Sequence, residues 1–280
     1  METIYLNREN LAEWQEKATP CVMALGFFDG LHNGHREVIN TALRKAKEKD
    51  LPVAVMSFFP HPKSVLSDGK VQVDYLMPLS EKEKILQVLG VNIFYIVEFT
   101  KEFAALPPEQ YVAKYLINLG VVHAVAGFDF SYGFKGAGNL DRLKDDSGGI
   151  IEVTKVDKVV CRGEKISSTC IRERISNGLV EELPDFLGRF YEVECNWDGH
   201  SINNLPFFTL PAAGHYAVTI NKGSVSLMTE VIVSNEEKGK SLRSIIELPP
   251  FMLGKISIQW HFRIQKESTI SQSNRFISII

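Results

Sequence analysis

The chain has 280 residues, of which 45% are hydrophobic and 23% charged, with 20 glycines and 12 prolines. At about 150 residues per domain that length predicts two domains, and the composition excludes a disordered, collagen-like or coiled-coil protein. The net charge of −3 is spread without long single-sign runs, so no concentrated basic face for nucleic acid is expected. No stretch approaches the roughly 18 apolar residues of a membrane span. Met1-Glu2-Thr3-Ile4 has neither the basic nor the apolar region of a secretory signal, and Cys21, Cys161, Cys170 and Cys195 form no C-x-x-C pair. Reduced thiols and a cytoplasmic location are expected.

The first part alternates apolar strands with amphipathic helices. Residues 22–25 are a short apolar run ending at Gly26, and Val38, Ile39, Ala42, Leu43 and Ala46 then recur at helical spacing. Residues 53–59 read as a buried strand. Ser80-Glu81-Lys82-Glu83 has the form of a capping box, followed by Ile85, Leu86 and Leu89 on one face and a stop at Gly90. Strands are expected at 93–97, 121–126 and 150–156. Pro108 opens a helix whose inward residues are Tyr111, Tyr115, Leu116 and Leu119, ended by Gly120. This alternation predicts a mostly parallel sheet covered on both faces, with ligands gathering outside the carboxyl ends of its strands. The loops 26–35, 59–63 and 127–138 are therefore the candidate site. After Gly188 the pattern changes to strands without long helices, at 191–197, 216–220, 224–233 and 255–264, which predicts an antiparallel sheet or small barrel. The tail 271–280 is polar and then apolar.

The sharpest local signal is Gly26-Phe27-Phe28-Asp29-Gly30-Leu31-His32-Asn33-Gly34-His35, set between a strand and a helix. Its glycines permit a tight turn and close approach of a ligand to the backbone, and the helix N-terminus offers free N–H groups and a positive dipole end. Two imidazoles three residues apart can point into one space. Together these hold a polyphosphate without the Walker lysine, whose pattern is absent. A zinc reading of H-x-x-H lacks the third ligand and the glutamate, and no protein metal site is expected.

The string resembles the G-x-F-D-G-x-H-x-G-H motif of the prokaryotic FAD synthetases, the riboflavin kinase/FMN adenylyltransferases of the nucleotidyltransferase superfamily. Three further segments match in order. Phe58-Phe59-Pro60-His61-Pro62 is similar to F-x-P-H-P, Gly127 to Gly133 to G-x-D-F-x-F-G with Tyr132 in place of Phe, and Ile166 to Arg172 to I-S-S-T-x-I-R. The resemblance covers residues 15–190. It implies an α/β fold: a Rossmann-like nucleotidyltransferase domain with a parallel sheet at 1–186, then a smaller antiparallel β-barrel at 187–280.

The resemblance also implies an enzyme that transfers AMP from ATP to FMN, giving FAD and pyrophosphate. His32, His35 and Arg172 are the expected catalytic residues. Gly26, Phe27, Asp29, Gly34, Ser167, Ser168 and Thr169 are expected to bind nucleotide, with Asp29 either fixing the loop or orienting a histidine. Phe58, Pro60, His61, Pro62, Asp129 and Phe130 are expected around the flavin, Asp129 meeting either a polar flavin edge or a magnesium-bound water. Mg²⁺ arrives with ATP and bridges its phosphates, using few protein ligands. Apart from the family, Ser167-Ser168-Thr169 reads as a helix N-cap, His61 as part of a rigid loop, Asp129 as a turn cap and His123 as a satisfied core residue.

In the second part, Leu187-Gly188-Arg189-Phe190-Tyr191 resembles the family's L-G-R-x-Y and Leu210 to Val218 its L-P-x-x-G-V-Y-A-V, with His215 for Val. Met252-Leu253-Gly254-Lys255 is a weakened L-Y-G-K. The G-F-P-T-A-N and N-I-G-x-R-P-T segments of the kinase have no counterpart, and its E-x-H pair aligns by spacing with Leu242 and Ser244. A kinase needs a base and a metal anchor, which leucine cannot supply. A barrel without riboflavin kinase activity is therefore expected, serving as a structural cover, a flavin-sensing module or a dimer surface; the alternative is a bifunctional riboflavin kinase/FMN adenylyltransferase. A cytidylyltransferase or pantetheine-phosphate adenylyltransferase would lack the F-x-P-H-P and G-F-D-F loops. A flavin-binding regulator that has lost catalysis would not need the intact His32, His35, Ser168, Thr169 and Arg172.

Overall fold

The computed structural model describes residues 1–204, 208–236 and 239–265; the tail 271–280 lies outside the described residues. In chain order the first part contains β1 (Glu2–Leu6), α1 (Leu11–Glu16), β2 (Cys21–Leu25), α2 (Asn33–Lys49), β3 (Val53–Phe59), α3 (Pro62–Leu66), α4 (Leu79–Leu89) and β4 (Ile93–Glu98). There follow α5 (Lys101–Ala104), α6 (Pro108–Tyr111), β5 (Val121–Gly127), the ribbon β6 (Ser131–Tyr132) and β7 (Gly138–Asn139), α7 (Leu140–Asp146) and β8 (Glu152–Val156). The hairpin β9 (Val160–Cys161) and β10 (Glu164–Lys165) leads into α8 (Ser168–Asn177) and α9 (Leu183–Leu187).

Six strands form one parallel sheet in the order β1-β4-β3-β2-β5-β8. Alternate residues of its strands enter two different cores. Met23, Leu25, Ala54 and Met56 join one with Tyr111, Leu116 and Leu119. Val22, Ala24, Val53 and Val55 join the other with Val38, Ile39 and Ala42 of α2 and Leu86 of α4. Both faces are thus buried, as the unbroken apolar runs require. The chain steps from β2 to β3 on one side and to β5 on the other, so a crevice opens beyond the carboxyl ends of β2, β3 and β5.

Several local expectations need correction. Helix α4 begins after Pro78, which serves as N-cap with no side-chain hydrogen bond, so Ser80 lies inside the helix and is not its cap. Proline's fixed φ already shapes the entry to the helix. The helix expected from Pro108 to Leu119 continues after α6 as a π turn, Val112–Leu116, and a 3₁₀ turn, Ile117–Leu119. Strand β8 starts at Glu152; Ile150 follows the Gly148-Gly149 turn and is exposed. β1 has no counterpart in the expected elements. It is an edge strand that buries only Ile4 and Leu6, too few for a clear period.

The second part is a closed antiparallel barrel in the order β11 (Tyr191–Trp197), β12 (Ile202–Asn204), β15 (Gly239–Ser244), β14 (Val225–Glu236), β13 (Gly214–Lys222) and β16 (Gly254–Ile264). β16 pairs with β11, which closes the ring. Tyr191, Val193, Cys195 and Trp197 alternate into its core with Ile256, Ile258 and Trp260. The same cluster takes in Ile171 and Ile175 of α8, Leu183 and Phe186 of α9, and Leu76 of the 67–78 connection. The barrel and the last helices of the first part therefore share one core.

Gly120 joins the 3₁₀ turn to β5 at φ +77°, where an added Cβ would stand 2.4 Å from the Thr19 carbonyl oxygen. The Gly120→Ala variant should lose about 2 kcal/mol or more in urea unfolding, combining left-handed strain with overpacking.

Candidate active site

The turn after β2 is strained and buried. Phe28 and Leu31 adopt φ of 54° and 41°, and Gly30 78°. Burial of Phe28 and Leu31 in the core holds this conformation in place. Gly30 also makes room for Leu76, whose Cδ1 would lie 2.9 Å from an added Cβ. His32 then caps α2: its Nδ1 accepts the His35 N–H at 3.1 Å. With Nδ1 an acceptor, the neutral His32 ring carries its proton on Nε2. The His32 and His35 rings stack 3.6 Å apart at 16°, and the buried Nδ1 of His35 has no hydrogen-bond partner among the described residues. Burial pushes the His32 imidazole down to about 4, and burial with the neighbouring His32 pushes His35 well below its ordinary value. The pair is neutral at pH 7.

Asp29 resolves one of the two roles expected of it. Its carboxylate, 1% exposed, accepts the Leu76 N–H at 3.0 and 3.2 Å and pairs with the Arg172 guanidinium. Asp29 thus fixes the loop, and it makes no hydrogen bond to either histidine among the described residues. Burial pushes its carboxyl up, while Lys82, Arg172 and the backbone donors pull the other way. Arg172 also donates through Nε to the Asp74 carbonyl (3.1 Å) and through Nη1 to the Ser168 carbonyl (3.4 Å). Among the described residues, one N–H on each terminal nitrogen stays uncommitted.

The head of α8 faces the turn. Ser167 is its N-cap, accepting the Cys170 N–H at 3.2 Å, and Ser168 donates to the Asp29 carbonyl at 3.0 Å. Thr169 is exposed. The N-cap reading of Ser167 is realised, and the first turn of α8 lines the same cavity as the two histidines.

These parts line a cavity of about 920 Å³. Gly26, Phe27, Asp29, His32, Gly34 and His35 reach it from the turn, and Ser167, Ser168, Thr169 and Arg172 from α8. Phe58, His61 and Pro62 reach it from β3 and α3, and Asp129 and Phe130 from the loop after β5. Pro60 does not line it: this residue is exposed at the chain reversal between β3 and α3, which corrects its place in the expected apolar wall. His61 packs edge-on to Phe27 at 4.5 Å, and its Nδ1 accepts the Lys63 N–H to cap α3. Asp129 is exposed and pairs with Lys165 of β10. Away from the cavity, His123 is buried and its Nε2 bonds Thr154 Oγ1 at 2.7 Å, but its Nδ1 has no hydrogen-bond partner among the described residues, so the expected satisfied core residue is only half realised.

Four features escaped sequence reading. Lys82, 3% exposed, donates to the Phe27 carbonyl (3.1 Å) and Ser57 Oγ (3.4 Å), and burial lowers its ammonium to about 8 against the pull of Asp29. A lysine within a charged Ser-Glu-Lys-Glu string carries no mark of burial. Lys165 lies 4.6 Å from the centre of the Phe128 ring. Tyr75 accepts the His61 N–H at 3.0 Å and stacks near Phe27 at 6.4 Å. Phe99 and Phe103 extend the aromatic wall behind Phe58, at 6.3 and 5.6 Å. The density of aromatics between 94 and 115 is the one local signal that could have pointed there.

The depressed histidines dictate a pH response. The unfolded chain takes up protons on them near pH 6.5, whereas the folded chain resists down to about 4 for His32. Their contribution to stability is complete above pH 6.5 and is lost as pH falls through 4. Urea unfolding from pH 7 to 4 should show this decline, and His32→Asn, which preserves a capping side chain, should make it shallower.

A family model described as FAD synthetase matches residues 14–170. The bifunctional riboflavin kinase/FMN adenylyltransferase of Listeria monocytogenes is 47% identical over 192 residues, 68% of this chain and 60% of that protein. Its Bacillus subtilis counterpart is 43% identical over 194 residues, 69% of this chain and 61% of that protein. The chain thus spans about three fifths of the length of these two relatives. A FAD synthetase of L. monocytogenes is 36% identical over 200 residues, 70% of this chain and 79% of that protein. In overall fold the chain is similar to the crystal structure of a macrolide-efflux protein from Streptococcus pneumoniae, with a TM-score of 0.82 and 24% identity over 97% of this chain and 94% of that one. The histidine turn, the helix head facing it and a family match over more than half of the residues lead to one conclusion: this chain belongs to the FAD synthetase family.

Proposed function

We propose that this protein joins AMP to FMN, with ATP and Mg²⁺ as the nucleotide substrate and FAD and pyrophosphate as products. One observation carries the reading: the histidine turn, the α8 N-terminus and an aromatic wall meet on one cavity at the carboxyl ends of parallel strands. The FMN phosphate has a second pKa near 6, so the nucleophile is charged at pH 7 and needs no general base. Its oxygen attacks the α-phosphorus of ATP in line, a P–O bond forms, and the bond to pyrophosphate breaks. The protein's tasks are to bring anions together and to stabilise charge on the α-phosphate and the leaving group.

In this reading Gly26, Phe27 and Gly34 let the nucleotide lie against the backbone. His32 and His35 contribute neutral N–H donors rather than fixed cations. Arg172 lends its two uncommitted N–H groups, while Ser167, Ser168 and Thr169 present the helix head to the β- and γ-phosphates. Asp29 acts by holding the turn and Arg172. Phe58, His61, Pro62 and Phe130 form the flavin wall, and Asp129, released from Lys165, meets a polar edge of the flavin or a magnesium-bound water. Mg²⁺ enters on ATP and needs no dedicated set of protein ligands.

The barrel, in a division of the chain at 1–186 and 187–280, supplies no riboflavin kinase activity. Leu242, at the position expected for a kinase base, is buried in the barrel core. Ser244, the partner position, sits in β15 opposite Val231. The absence of a helix long and apolar enough to cross a membrane among the described residues is compatible with a cytoplasmic enzyme.

Purified protein given ATP, Mg²⁺ and FMN should release pyrophosphate and form FAD, while riboflavin in place of FMN should yield no FMN. Failure to form FAD would reject the reading, and steady FMN formation would reject the loss of kinase activity. His35→Ala should lower kcat about 100-fold while FMN affinity stays within about twofold. Phe58→Ala should mainly weaken flavin binding, about tenfold, as loss of an aromatic contact does.

A further inference from the structure

The segment 208–212 packs with the barrel, yet it is bonded to the 74–75 strip and to Ile175 of α8, which lie behind the cavity lining. Phe208 and Tyr75 form a parallel β-bridge. The Thr209 N–H donates to the Tyr75 carbonyl at 3.1 Å, and the Thr209 hydroxyl lies within reach of the Tyr75 and Asp74 carbonyls at 3.3 and 3.4 Å. Three residues further on, the Ala212 N–H donates to the Ile175 carbonyl of α8 at 3.0 Å. The segment is itself held from the barrel side. Tyr191 Oη donates to the Thr209 carbonyl at 2.6 Å, and Lys240 Nζ donates to the carbonyls of Leu210 and Pro211, both at 2.8 Å.

What it grips is the connection that hydrogen-bonds three side chains or backbone groups of the site. Asp74 accepts from Arg172, Tyr75 receives the His61 N–H, and the Leu76 N–H binds Asp29. Leu76 completes the grip by inserting its side chain into the barrel's apolar cluster. Three successive residues are therefore pinned on one side by the site and on the other by the barrel.

We infer that Thr209 is a positioning residue for adenylyl transfer, and that the barrel acts as a strut holding the 74–76 strip and α8 at the spacing the two substrates require. This rests on the proposed FMN adenylyltransferase reading and deepens it: a barrel without kinase chemistry contributes to the site of the other domain. The hydroxyl and N–H of Thr209 do not touch the cavity, and the residue is 7% exposed, so its effect travels through Tyr75 and Leu76.

The test uses the full chain with Thr209→Val, Thr209→Ser and Lys240→Met. The valine keeps shape and removes the hydroxyl, the serine restores it, and the methionine loosens Leu210 and Pro211 from a partly exposed position. Thr209→Val should raise the KM for ATP and FMN about threefold to tenfold, the range for loss of one hydrogen bond, with kcat changed less than about twofold. Serine should return the KM toward wild type, and Lys240→Met should move it in the same direction as valine. Hydrogen exchange at the amides of 75–77 should speed up in Thr209→Val while the β13 and β16 amides remain protected. Unchanged KM values with unchanged exchange at 75–77 in Thr209→Val would overturn the inference. If that variant does not fold, the same pair of results in Lys240→Met overturns it. A wild-type protein that makes no FAD would sink the functional reading alone, because the exchange measurement still reports on the strut.

Discussion

The buried carboxylate of Asp29 is the constraint on which the rest of the site depends. It stands in the strained turn after β2 and receives the Leu76 N–H from one segment and the Arg172 guanidinium from another. A charge taken out of water has to be met by partners, because its burial otherwise costs several kcal/mol. That requirement brings together three chain segments that are far apart in sequence. Lys82 adds a buried cation from a fourth and ties the Phe27 carbonyl to the end of β3 through Ser57. The fixed geometry of the turn follows from this compensation as much as from its glycines.

The same compensation shapes the chemistry. With Arg172 partly engaged by Asp29 and with both imidazoles neutral, the cavity does not present a bare cluster of positive charge. It presents oriented donors: ring N–H groups, the remaining guanidinium N–H groups and a helix head. Preorganised donors of this kind stabilise charge that develops during the reaction, with little rearrangement when it appears. Stacking at 3.6 Å also opposes simultaneous protonation of His32 and His35, since two like charges at that separation repel strongly.

The barrel is continuous with this arrangement. Its apolar cluster includes Leu76 and the inner face of α8, so both the strip that Asp29 holds and the helix that carries Arg172 rest on it. A division of the chain into a chemical domain and an accessory one describes the topology, but the packing runs across it. The shared core gives the closed barrel a structural role in the site of the other part.

Much of this was legible in the residues. The apolar runs at 22–25 and 53–59 and the amphipathic helix between them specified a sheet buried on both faces, because a parallel sheet so covered reads as near-continuous apolar strands. The four motifs placed the candidate site at the strand ends, and of the named site residues the structure gathers all but Pro60 around one cavity. The short or edge strands β1, β12 and β15 were not legible, since a strand that buries one or two residues leaves little periodicity. Nor was the burial of Lys82, the pairing of Asp129 with Lys165, or the commitment of Asp29 to Leu76 and Arg172. Each is a contact between segments tens of residues apart, and hydrophobic period and capping propensity are local quantities. The sequence by itself determined the element types, the two-part architecture and the chemical character of the turn. Only the tertiary structure decided which charged groups are spent on one another and which remain for a ligand, because burial and long-range proximity exist only once the chain has closed on itself.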